Sequence, residues 1–308
     1  MEKKNHNRVG FISFPPSVCL RLLGGTLSLS LSLLSLTLPS LASAGYIPPE
    51  STRPPSTATG TTGGRNGTLS ADNGLLPTLL APLQHVGKSQ STHPTFEWFI
   101  PVDSTLEGEF RLYEITETVE DPETGKLKDT FRNVLEAPYP FTSEQGFMSY
   151  TLPEDIEGLH PNTHYVWQVV LRYGPRESDS FKIRSQIEIV ERPSLSPTLD
   201  GDPQNETEKI DQIEQLAEAG LWYDALALTS QLSPSAANTQ RNALFLALAE
   251  IEATDEEASN SLETEATDIE SGYGMSHSEA LQLIAEWQQS NGIPTHLLRE
   301  LTASLPPT

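Results

Sequence analysis

Between Tyr165 and Ile189 the chain runs in period two, and this stretch limits what it can fold into more than any other. Tyr165, Trp167, Val169, Leu171 and Tyr173 share one side of an extended segment. Gly174-Pro175 interrupts it, and Phe181, Ile183, Ile187 and Ile189 then alternate with Lys182, Arg184, Gln186 and Glu188. Side chains on a strand point to opposite faces in turn. The pattern therefore specifies two strands with one face on a core and the other toward water.

Further strand signals lie upstream. Phe96, Trp98 and Ile100 share a face of a short strand that stops at Pro101. Residues 108–117 make a second strand, in which Phe110/Leu112 and Tyr113/Ile115 fall on opposite faces; a bulge or two half-buried faces accounts for that. Asp121-Pro122-Glu123-Thr124-Gly125-Lys126 is a turn sequence from which Lys128–Leu135 returns. Another strand lies near Phe147–Leu152. Six or seven strands within residues 91–192, with no helical stretch among them, predict two sheets packed face to face. The run Leu159-His160-Pro161-Asn162-Thr163-His164-Tyr165-Val166-Trp167 resembles the turn-into-strand of fibronectin type III domains. The expected fold of residues 91–192 is thus an all-β, immunoglobulin-like sandwich.

After a Pro- and Ser-containing linker, 193–205, the period becomes helical. Ile210, Ile213, Leu216 and Ala217 form one apolar stripe. Gly220 interrupts, and Tyr223, Leu226, Ala227 and Leu232 continue in a second helix that ends near Pro234. The stretch LAEAGLWYDALALTSQLSP resembles the middle of a tetratricopeptide repeat, with Ala219, Gly220 and Ala225 small enough for two helices to approach closely. Gly220 suits the left-handed turn that ends a helix. A third helix, from Gln240 to about Ala253, carries Leu244, Phe245, Leu248 and Ile251. A last one spans Ser276–Gln289, where Ser276 and Glu279 have the spacing of a capping box. The helical part, 206–290, includes a loop at 254–272 with seven acids and no Lys or Arg. Residues 291–308 read as a tail.

The start of the chain looks like an export signal. Lys3, Lys4, Arg8 and Arg21 precede an uncharged run from Leu22 to Leu38, and Ala42-Ser43-Ala44 gives the small-x-small pattern of a cleavage site. A retained anchor is the alternative, but a run diluted by serines is a poor membrane-spanning helix. A lipid anchor on Cys19 is set aside because that residue precedes the apolar run. Removal of residues 1–44 leaves 264 residues with 15 basic and 41 acidic side chains, net −26, and no cysteine. Such a chain forms no disulfide and performs no thiol or Cys-zinc chemistry. It repels nucleic acid and anionic lipid, so neither is an expected partner, and no stable membrane insertion is expected. Residues 45–90, rich in Pro, Gly and Thr, read as a disordered lead.

Four segments carry a wider resemblance. Pro94-Thr95-Phe96-Glu97-Trp98-Phe99-Ile100-Pro101, Leu152-Pro153, Tyr165-Val166-Trp167 and Gly220-Leu221-Trp222-Tyr223-Asp224-Ala225-Leu226 occur in this order. Together, over residues 90–290, they resemble an exported cyanobacterial family known as domain of unknown function 928. That family often has a Cys after the Tyr-x-Trp strand, a place held here by residues around Tyr173. The resemblance implies a location and an architecture and brings no catalytic residues.

Candidate chemistry is sparse. His160 and His164 bracket a turn and are weighed as a metal pair against exposed turn residues. Asp224, at a helix start, fits a local interaction with the positive helix end. Trp167 and Trp222 read as core packing, with an exposed carbohydrate or peptide platform as the alternative. The 254–272 acids lack the glycine of a calcium loop, leaving only weak calcium screening. No catalytic, cofactor-binding or metal residue is assigned, and no cofactor. The expected role is a non-catalytic binding or scaffold protein of the cell envelope, periplasmic or secreted, whose partner is an envelope protein or a polysaccharide. The alternatives are an envelope hydrolase or polysaccharide-modifying enzyme and a purely structural component.

Overall fold

The two alternating segments form neighbouring antiparallel strands, with Trp167 opposite Ser185 and Val169 opposite Ile183. The computed structural model describes residues 45–49, 60–62, 74–120, 122, 127–176, 179–191, 203, 205–262, 275–291 and 299–300. The expected signal and the tail, apart from Arg299–Glu300, lie outside these residues or, at 291, at their margin.

In chain order the strands are β1 (Gly60–Thr62), β2 (Thr78–Leu79), β3 (Gly87–Ser89), β4 (Thr95–Ile100), β5 (Glu107–Glu120) and β6 (Leu127–Asn133). They continue with β7 (Tyr139–Thr142), β8 (Gly146–Thr151), β9 (Thr163–Arg172), β10 (Ser180–Ile189) and β11 (Arg299–Glu300). Four helices, α1 (Glu206–Glu218), α2 (Trp222–Thr229), α3 (Pro234–Leu262) and α4 (His277–Asn291), lie between β10 and β11. The larger sheet has the order β1-β10-β9-β5-β6, with β3 also on β10 and β7 also on β5. The smaller has the order β11-β8-β4-β2. Tyr113 and Ile115 are half-buried on the face opposite Phe110 and Leu112, and the register of β5 against β6 shifts only beyond them, between Ile115 and Glu117.

The inner face of the larger sheet meets one face of the smaller. Phe96 lies 5.1 Å from Phe110 and 5.2 Å from Trp167, centroid to centroid. Gly108 leaves room for the Phe141 ring, which a Cβ there would approach to 2.3 Å. The opposite face of the smaller sheet is buried as well. Phe99 packs edge-on against Trp287 of α4 at 4.8 Å, and Phe147 lies 6.2 Å from Phe245 of α3. Sheet, sheet and helices make three layers, and their buried side chains form one core.

This corrects the expected fold. An all-β immunoglobulin-like sandwich followed by a tetratricopeptide-like segment is not what forms. Both sheets are mixed, since β3 runs parallel to β10 and β11 parallel to β8. The helices cover a sheet instead of stacking on further helix pairs. The cause lies in β4, whose second face, carrying Glu97 and Phe99, is buried too, with Glu97 2 % exposed. A helix, and not water, satisfies that carboxylate.

Two further differences follow from packing. Within the expected disordered lead, residues 74–90 carry β2 and β3 and bury Leu75, Leu79, Leu80 and Val86, while Tyr46 is buried near its start. The run Leu75-Leu76-Pro77-Thr78-Leu79-Leu80 supplies enough apolar area to offset its ordering, about 1.5–3 kcal/mol for each fully buried Leu. Helix α3 begins at Pro234, a proline suited to the first helical position. It runs to Leu262, so the first part of the stretch read as an acidic loop is helical. Residues 263–272 of that stretch lie outside the described ones.

Candidate functional site

The corner between α1 and α2 is a helix stop of the Schellman type. Gly220 has φ +76°, its amide donates to the Ala217 carbonyl at 3.0 Å, and the Leu221 amide donates to Leu216 at 2.9 Å. Trp222, fully buried, donates from Nε1 to the Leu80 carbonyl at 2.9 Å and meets the Tyr46 ring edge-on at 5.0 Å. Trp167 is buried too, so neither tryptophan is an exposed platform. Asp224 sits in the first turn of α2, as expected, but its carboxylate reaches out of the helix. It accepts from Ser89 Oγ at 2.9 Å and from the Gln90 amide at 2.8 Å, clamping α2 to the end of β3.

Two buried ion pairs join the helices to the sheets. Arg241 of α3 pairs with Glu97 of β4, with its guanidinium carbon 4.7 Å above the Phe147 ring. Glu252 of α3 pairs with His277 Nδ1 of α4 and accepts from the Leu83 amide at 2.5 Å. Burial works against the Glu252 carboxylate. His277 and the amides of Leu83 and Gln84 outweigh it and hold the group below the usual carboxylate range. His277 Nε2 lies 3.0 Å from the Leu79 carbonyl, which only accepts, so that nitrogen is the donor. With a carboxylate on one side and a carbonyl on the other, this imidazole has no free lone pair with which to act as a base. Both pairs hold the layers together.

A concave surface lies elsewhere, at one end of the two sheets. A groove of about 980 Å³ runs between the β6–β7 connection and the segment 153–160 that follows β8. Tyr139, Pro140, Tyr150, Pro153, Ile156 and Tyr165 line it, with Glu114, Glu136, Asp155, Glu157, Arg132 and His160 around them. No helix contributes to this lining. The 153–160 segment is fixed from behind: the Leu159 amide donates to Thr92 O at 2.8 Å, and His93 Nε2 lies 3.1 Å from Ile156 O. Gly158 permits this close approach, since a Cβ would fall 2.9 Å from the His93 ring. At the start of β9 the Tyr165 hydroxyl accepts from the His160 amide at 2.8 Å and Asn162 has φ +58°, which sets the turn beside the groove. Arg132 is paired with Glu114.

Tyr150 forms the floor. Its ring stacks on Phe110 at 4.4 Å and lies 5.0 Å from Tyr139, and it is 1 % exposed. Burial, with Tyr139 and Asp155 adding to it, pushes its phenol up to about 12. The hydroxyl stays protonated and is a hydrogen-bond donor throughout the neutral range.

A family model described as Domain of Unknown Function (DUF928) matches residues 60–258. The chain belongs to that family. The match begins at β1, some thirty residues before the first recognised motif, and so takes in the strands of the supposed lead. It ends within α3 and contains every groove residue. No curated protein matches the chain.

The DUF928 groove was not legible in the sequence. Its walls come from segments about twenty residues apart, and only the turn-forming Pro153–Gly158 stretch and Tyr139-Pro140 carry a local signal. His160 stands on its rim, 3.9 Å from Glu157, while His164 lies on β9 opposite Glu188. Among the described residues, no group of three or more His, Cys, Asp or Glu is placed to hold a metal ion. Nor, among them, is any helix long and apolar enough to cross a membrane.

Proposed function

We propose that this DUF928 chain is an exported, non-catalytic binding protein of a bacterial, cyanobacterial cell envelope, and that it holds its partner in the groove at the sheet ends. The groove carries the reading: it is preformed, with one wall tied to Thr92 and His93 and a floor of stacked aromatic rings. Ligand sites are typically concave and built in advance in this way, with a few polar groups among apolar ones. The buried ionisable pairs Glu97–Arg241 and Glu252–His277 are spent on joining layers. Export rests on the basic start, the apolar run and Ala42-Ser43-Ala44.

Capture from envelope extract tests this reading. The wild-type chain retains a partner, and Tyr139→Ala, which removes a half-buried ring from the groove without opening the core, releases it. Equal capture by both proteins, or none by the wild type, counts against the groove. A polysaccharide-modifying enzyme is the second reading, favoured by the four carboxylates around the same groove. Release of shortened saccharide by the wild type, abolished in Asp155→Asn, establishes that reading instead.

A further inference from the structure

We infer that the groove takes a segment of neutral saccharide; this rests on the binding reading above and names its ligand. The starting point is the Tyr150 hydroxyl. Tyr150 lines the groove and is 1 % exposed, yet its hydroxyl has no hydrogen-bond partner among the described residues. The hydroxyl oxygen opens onto the groove, where water or a ligand satisfies it. Its ring is fixed on Phe110, which holds the hydroxyl at the groove.

The polar groups around it ask for a ligand of a particular kind. The Tyr150 phenol is a permanent donor and needs an acceptor. Glu136, Asp155 and Glu157 are exposed acceptors beside it, open to donors from a ligand. A polyol meets both demands, because each hydroxyl donates one hydrogen bond and accepts others. A lysine or arginine side chain offers only donors and leaves Tyr150 unsatisfied. An anionic polymer offers acceptors and is repelled, since Arg132 is already held by Glu114. Tyr139, half-buried at the groove wall, adds a ring face on which the C–H surface of a sugar can lie. The groove, at about 980 Å³, accommodates several sugar rings.

Calorimetric titration of the purified full chain tests the inference, using neutral gluco-, xylo- and manno-hexasaccharides with oligogalacturonate as the anionic probe. At least one neutral oligomer binds about ten-fold or more tightly than oligogalacturonate. Tyr150→Phe, which removes only the hydroxyl, weakens that binding about five-fold, the effect of one hydrogen bond. Its melting temperature does not fall, because the hydroxyl has no partner within the protein to lose. Cleavage of the bound oligomer also supports the saccharide while overturning the non-catalytic reading. No binding of any neutral oligomer, or equal binding by Tyr150→Phe, overturns the inference. A protein captured by the wild type and lost by Tyr139→Ala then leaves the binding reading standing with a different ligand.

Discussion

The hydroxyl of Tyr223 on α2 accepts a hydrogen bond from Trp167 Nε1 on β9 at 2.8 Å and passes its own proton toward the Gln186 carbonyl at 3.1 Å. All three residues are buried. A helical side chain thus reaches the larger sheet, and Gly87 on β3 leaves it room, since a Cβ there would lie 2.8 Å from the tyrosine ring. Tyr223→Phe leaves the indole N–H without this acceptor and removes the donor to the Gln186 carbonyl. Stability to urea is expected to fall by about 1–3 kcal/mol; an unchanged midpoint would show that the helix is not tied to the sheet here.

Asp224, one residue on, gives a second check. Hydrogen bonds to a charged group contribute about 1.5–3 kcal/mol, whereas a purely local effect at the helix end is worth about 0.3–1 kcal/mol. Asp224→Ala is expected to fall in the larger range. It should also be non-additive with Ser89→Ala, whose hydroxyl it bonds. Additive effects would return Asp224 to a local role.

How much of this was written in the sequence depends on which neighbour satisfies each residue. The β9–β10 pair, the Gly220 corner and the Ser276–Glu279 box all lie within short stretches, and each is found as its spacing specifies. In the capping box the Ser276 amide donates to Glu279 at 2.8 Å, and the Glu279 amide donates to Ser276 Oγ at 3.1 Å. The three-layer arrangement depends on long-range partners. Glu97 interrupts an apolar strand, and Arg241 falls on the same stripe as Leu244, Phe245 and Leu248. Read separately, each looks exposed; only together do they place a helix on the second face of β4. The groove is illegible for a related reason, being assembled from two separate connections, neither of which shows it alone.

The segment before residue 90 is part of the folded protein. Leu80 is fully buried, and Glu252 and His277 hold the backbone at Leu79, Leu83 and Gln84. Limited proteolysis should leave a fragment that begins at or before Gly74. A stable fragment starting near residue 90 would show that this segment is dispensable.

Acid should loosen that clamp. Because Glu252 is held below its ordinary range, its contribution is complete above the pKa of an unfolded glutamate, about 4.3. It is lost as the pH falls through the lower folded value. Glu252→Gln removes the charge that faces His277 in the buried pair and should lower stability by about 3–5 kcal/mol at neutral pH. The gap between the two proteins is expected to close on acidification. A gap that stays constant down to the acid limb would remove Glu252 from the linkage.

Photo-crosslinking in the expressing cell tests the groove most directly. The photoreactive residue p-benzoylphenylalanine is placed at Ala137 on the groove wall and, separately, at Leu246, which is 45 % exposed on α3. A binding groove at the sheet ends gives a defined adduct from position 137 and none from position 246. An adduct from 246 alone would move the contact surface to the helices and contradict the site.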